Sequence, residues 1–302
     1  MLKKINRKWI IIVAIAVICT VLIGLSFFVL SGDWSNERVR NLIIVGIFVS
    51  ICASLVGAPL VLKRHSFIGI GLSNVSFMGV GLAFVISLSN SLFVTIPLTV
   101  LAAVFLLGFG SRTKIKGDAM LAMLAVGALA VGYFLINTFS GQGSGPVCSA
   151  LFGNSYMLNL TDVWISLAMT VIVVAIFVMF YNRIFAVTFD SNFMRATGSR
   201  PGIYEYVLAI LIGVVIALSM KAVGSMLIAA LIIFPALSAM RVFKSFFSVT
   251  VCAVCVSVFC VITGLAMSRL LVNAPPGATI VVVNIVVFAL FYLTSLVSRR
   301  YL

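Results

Sequence analysis

Few side chains in this sequence could do chemistry, and their spacing rules out most kinds of it. His65 is the single histidine, and the six acidic residues, Asp33, Glu37, Asp118, Asp162, Asp190 and Glu205, are scattered along the chain. No H-E-x-x-H and no G-x-S-x-G occurs, so neither a helix-borne metal pair nor a nucleophile elbow is available. The G-x-x-x-x-G-K-[ST] loop that cradles nucleotide phosphates is also missing, which leaves no P-loop route to ATP hydrolysis. Five of the six cysteines lie in apolar stretches, where a thiol behaves as a small hydrophobe, and Cys148 alone looks solvent-facing. Cys252 and Cys255 have C-x-x-C spacing, but within an apolar helix this reads as packing rather than metal or redox work. His65, directly after Lys63 and Arg64, reads as an interfacial residue among cations. The chain is not read as an enzyme, and it implies no cofactor.

The stretch 67–88 holds the polar groups that matter most in an apolar setting. Gly69, Gly71, Gly79 and Gly81 let other helices approach closely, and Ser66, Ser73, Asn74 and Ser76 interrupt the hydrocarbon. A membrane-buried Asn either bonds across to another helix, worth about 0.6–2 kcal/mol, or touches a substrate; the residues alone leave both open. Asp118, which begins a later apolar stretch, carries a negative charge where a helix N-terminus favours one. Ser73, Asn74 and Met78, with Asp118 near the inner end, are the candidate path residues. No metal ligands are assigned.

The elements that position these residues follow from composition. The chain of 302 residues is 63% apolar and 9% charged, against an apolar share of roughly 45–50% in soluble domains. Ten stretches qualify or nearly qualify as membrane-crossing helices: 9–30, 42–62, 67–88, 92–107, 119–139, 163–181, 203–220, 222–240, 246–267 and 277–297. The runs are continuous rather than alternating, so a β-barrel is excluded. Residues 203–240 form one nearly unbroken run. A single helix of that length would reach about 57 Å, nearly twice the hydrocarbon thickness. Two spans meeting near Met220 to Gly224 resolve this, and a bent pair would leave nine spans instead of ten. The expected fold is an all-α polytopic bundle of nine or ten spans.

Sidedness follows from the cations. The net charge of +14 comes from 20 Lys and Arg in small groups between apolar stretches, which is the pattern that orients membrane helices and not a nucleic-acid-binding face. With the amino terminus in the cytoplasm, 16 cations fall inside and 4 (Arg38, Arg40, Lys221 and Arg269) outside. Both termini are therefore expected to be cytoplasmic, in a multi-pass protein of the cell membrane. Residues 9–30 are too long for a signal-peptide core of about 7–15 residues and read as a retained helix or signal anchor.

Two connections are long enough to act. The outer one, 140–162, reads as a structured loop or short re-entrant element. The inner one, 181–202, reads as a loop with a short amphipathic helix, capped by Asp190 or Ser191, given apolar surface by Phe193, Met194 and Ala196, and ended by Gly198. Such a helix suits docking onto a protein or lying on lipid.

These residues resemble the integral-membrane permeases of ABC importers for zinc, manganese and iron. In that family a basic pair leads into G-D-A-L-S-H-A-x-x-P-G; here Arg64 precedes the run from Gly69 to Gly79 in register. Asp118-Ala119 resembles D-T-A, the run from Gly127 to Gly132 resembles S-G-A-L-A-L-G, and Leu151-Phe152-Gly153-Asn154 matches L-F-G-N. The run from Phe189 to Gly198 resembles F-D-P-E-F-A-R-A-L-G. Ala222-Val223-Gly224, continuing to Pro235-Ala236, and the run from Gly277 to Val281 resemble A-V-G with A-L-L-x-x-P-A and G-A-T-I-V. The likeness covers residues 41–301, so residues 1–40 are an extra amino-terminal helix and outer loop, and 41–302 the permease domain.

The resemblance implies a type II ABC-importer-like permease that pairs with a second copy in the lipid bilayer, couples to separate ATPase subunits and receives cargo from an extracytoplasmic binding lipoprotein. It makes Phe189, Asp190, Phe193, Arg195 and Gly198 the ATPase-coupling segment. The family's Asp and His ligands, four residues apart on one helix face, are Ile70 and Asn74 here. An isoleucine cannot bind a metal and an amide is a weak zinc ligand, so the metal site does not transfer. The alternatives are the same permease carrying a chelated metal or small organic molecule, and a secondary transporter independent of ATPases.

Overall fold

A computed structural model describes residues 37–63, 66–86, 91–109, 117–139, 145–153, 160–189, 194, 201–271 and 274–300. Its long elements are apolar runs, which in hydrocarbon must satisfy every backbone group internally and so become helices. In chain order they are α1 (Glu37–Leu62), α2 (Ser66–Val85), α3 (Leu92–Phe109), α4 (Gly117–Phe139), α5 (Gly145–Phe152), α6 (Leu160–Met179), α7 (Tyr181–Phe189), α8 (Pro201–Val223), α9 (Ser225–Val242), α10 (Phe246–Leu270) and α11 (Pro276–Arg300). Among the described residues there is no strand. Eight helices are long and apolar enough to cross a membrane, and Leu92–Leu106 of α3 is a shorter apolar helix. These nine match nine of the ten expected stretches; 9–30 lies outside the described residues.

α1 is the central post. It packs against α10, α9, α6 and α8, and 72% of its span is buried, against 22% for α4 and 28% for α6 at the rim. Small residues set how closely the helices approach. Gly57 of α1 and Gly69 of α2 both face Ile232 of α9, which is fully buried. A Cβ at Gly57 would collide with the Ile232 carbonyl. The glycines of α2 are divided among three neighbours: Gly69 faces α9, Gly79 faces Thr95 of α3, and Gly71 and Gly81 face α4. This is the close approach expected of that stretch.

The long 203–240 run is divided as expected, at Gly224, whose φ of +87° is the left-handed conformation that favours glycine. Gly153, just after α5, has φ +81°. The two glycines lie against each other: a Cβ at Gly224 would strike the Gly153 nitrogen, and one at Gly153 would lie 2.6 Å from the Val223 carbonyl oxygen. Gly277, at the start of α11, is pressed against the Phe152 carbonyl. Three motifs far apart in sequence, around Gly153, Gly224 and Gly277, thus form one junction. There the C-terminus of α5 meets the first turns of α9 and α11, an opposed arrangement of helix dipoles. The expected short element in 140–162 is α5.

The inner connection differs from expectation. Its first nine residues are not loop but the helix α7, with Ile184 and Val187 buried. Nine residues hold only two turns of periodicity, too little to separate this helix from the preceding span. Within 190–200, Met194 is described; it is helical and buried.

Candidate functional site

The candidate path residues sit on α2, whose glycines bring it close to α4. A Cβ at Gly132 of α4 would lie 2.6 Å from the Phe77 ring and 3.0 Å from the Met78 backbone. Asn74 uses this proximity: its Nδ2 donates to the Ala125 carbonyl of α4 at 3.0 Å. The amide therefore joins two helices, as one of its two readings expected. Ser73 is 1% exposed and its Oγ donates to the Ile70 carbonyl of its own helix at 2.9 Å. Ile70, Asn74 and Met78 follow one another at four-residue intervals, each half-buried, so they form one stripe.

Met78 opens onto a groove of about 540 Å³ between α2, α3 and α4. Its walls include Val75, Leu98, Leu101, Phe105, Leu124 and Val131, and every lining side chain is apolar. Beyond the groove the outer face of α4 exposes Met123, Val126 and Phe134. Asp118 falls in the first turn of α4, as expected; its side chain lies outside the described residues. Among the described residues no group of three or more His, Cys, Asp or Glu side chains is placed to hold a metal ion.

The second candidate region is the end of the bundle reached by α1, α7, α8 and α10. Lys63 Nζ donates to Glu205 Oε1 at 3.0 Å, joining the ends of α1 and α8. Arg183 lies over the Tyr204 ring at 5.8 Å, and Arg241 over Tyr292 at 5.0 Å. These ends were assigned to one side from the cation pattern, and they do lie together, opposite the glycine junction. Phe189 is the last residue of α7 and is 55% exposed. Asp190, Phe193, Arg195 and Gly198 lie outside the described residues. Cys252 and Cys255 form no disulfide and lie half-buried and exposed, respectively, on an apolar helix.

A multi-pass bundle of long apolar helices, with buried Ser, Thr and Asn side chains spread among them, is the architecture of an integral membrane protein. The comparisons with known proteins agree. A "Manganese import system permease protein ScaB" from Streptococcus gordonii is 26% identical over 263 residues, covering 87% of this chain and 93% of that protein. A "Manganese transport system membrane protein MntC" from Halalkalibacterium halodurans is 28% identical over 276 residues, covering 90% and 92%. The solved structure of PsaBC from Streptococcus pneumoniae in complex with Fab superposes with a TM-score of 0.78 at 25% identity, covering 87% of this chain and 94% of that one. Residues 35–295 match the ABC 3 transport family, and the chain belongs to that family.

Proposed function

We propose that this chain is the membrane-spanning subunit of an ABC importer for a transition metal ion, with manganese the first candidate among manganese, zinc and iron. The observation that carries this is the match, over most of both chains, to permeases named for manganese import. Two copies pair, with the path between them; the apolar outer face of α4 and the groove beside Met78 suit a partner helix surface. Separate ATPase subunits bind the segment from Phe189 to Gly198, and an external lipoprotein delivers cargo at the opposite end. Both termini are cytoplasmic, residues 1–40 add a helix before the permease domain of 41–302, and Ser73, Asn74, Met78 and Asp118 belong to the path.

The mechanism is alternating access. ATP-driven closure of the ATPases displaces the inner segment, and the helix bundles rock so that the path opens first outward and then inward. α1, α8 and α10 end beside α7, so displacement there meets several long helices at once. Rigid helices carry the motion across the bilayer because packed interfaces have few intermediate arrangements.

A second reading of the cargo has its own support. Ile70 and Asn74 stand where the resembled family has Asp and His, and the Asn74 amide donates to Ala125. A metal that arrives with its own organic ligands needs no protein carboxylate or imidazole on the path. The deciding experiment is copurification of the chain with its ATPase subunits, reconstitution in liposomes, and uptake of radiolabelled manganese, zinc and iron, each free and chelated. ATP-dependent uptake of free manganese is expected. Uptake of chelates alone selects the second reading, and transport down an ion gradient with no ATPase present overturns both.

A further inference from the structure

Displacement of the inner segment has to reach helices that are not its covalent neighbours. α6 and α7 precede that segment and α8 follows it, so backbone continuity moves them. α10 begins beyond α8 and α9 and can be moved only through contact. The contact is a cluster of rings. Tyr181, Phe185 and Phe189 occupy successive turns of α7 at i, i+4 and i+8 and so form one stripe. All three rings meet one ring, Phe246, with centroids at 5.4, 5.5 and 6.1 Å. These separations fall in the range of favourable aromatic pairs.

Phe246 is built to receive a push. It is the first residue of α10 and is 4% exposed. Ser245 caps the helix there, its Oγ accepting from the Ser248 N–H at 3.4 Å. Phe246 also packs with Ile184 and Phe177, beside the inner end of α1 at Leu55 and Leu62. From there α10 runs for 25 residues against α1, α9 and α11. An aromatic ring has two side-chain torsions and little slack, so displacement of α7 is passed on instead of being absorbed by rotamer changes.

We propose that Phe246 is a positioning residue of the transport cycle, the ring through which movement of the segment after Phe189 reaches α10. This rests on the functional reading above and extends it from the docking segment to a receiver in the bundle.

The test uses the chain with its ATPase subunits and binding lipoprotein in liposomes, with manganese uptake and ATP hydrolysis measured on the same preparation. Phe246→Ala is expected to keep hydrolysis within about twofold of the parent while uptake per ATP falls at least about fivefold. Phe185→Ala, at a partly exposed ring that can be removed without emptying a buried site, is expected to lower the same ratio. The double variant should be no worse than Phe246→Ala alone, since both remove one connection. An unchanged ratio, or uptake and hydrolysis falling in parallel, overturns the inference. Where Phe246→Ala fails to assemble, Phe185→Ala decides by the same ratio. An unmodified complex that binds no ATPase overturns the functional reading itself, which is a separate outcome.

Discussion

Asn74 is tied to a neighbouring helix by its side chain. Its amide sits where the resembled family has a metal-binding imidazole, and it donates one hydrogen bond to the Ala125 carbonyl. Replacing it by alanine should cost about 0.6–2 kcal/mol of stability, read as a lower unfolding temperature in detergent. The type of residue and its depth were legible in the sequence, but its partner was not, because residues 74 and 125 meet only after two helices are packed by Gly71, Gly81 and Gly132. Lys63 and Glu205 make a similar point at the bundle's end. The Glu205 side chain is 35% exposed, so Glu205→Gln should cost no more than about 1 kcal/mol, with the loss shrinking in high salt. Thermal unfolding at two ionic strengths checks this.

At the scale of elements, the glycine junction is the strongest constraint. Gly224→Ala would combine the strain of a backbone region open essentially to glycine alone (φ +87°, ψ 158°), about 1–3 kcal/mol, with crowding of the α5 carbonyls. The overpacking adds about 1–3 kcal/mol. Gly153→Ala should behave alike, and the double variant should fall short of the sum because both open the same contact. Folded yield and unfolding temperature measure both. The break at Gly224 was readable from length, since one helix of 38 residues cannot fit the bilayer. Why the break requires glycine was not readable: the reason is α5, which presses on it from another part of the chain. α7 was missed for the opposite cause, a helix too short to show periodicity and held by tertiary contacts at Ile184, Val187 and Phe246.

For the whole molecule, sidedness gives a direct prediction. Cys148 is exposed on α5, at the end assigned to the outside, so a membrane-impermeant thiol reagent should label it in intact cells. Labelling only after permeabilisation would invert the topology. The purified chain by itself should hydrolyse no ATP, and hydrolysis should appear only with its ATPase subunits. Membrane residence and the bounds of the long described helices were legible in the sequence alone, because length and hydropathy are properties of each stretch by itself and the bilayer acts on them one at a time. Which stretches meet was decided only by the tertiary structure. The union of Gly153, Gly224 and Gly277, the Asn74 bond to α4, and the three rings around Phe246 all depend on how helices distant in sequence pack, which is a property of pairs of surfaces that no single stretch contains.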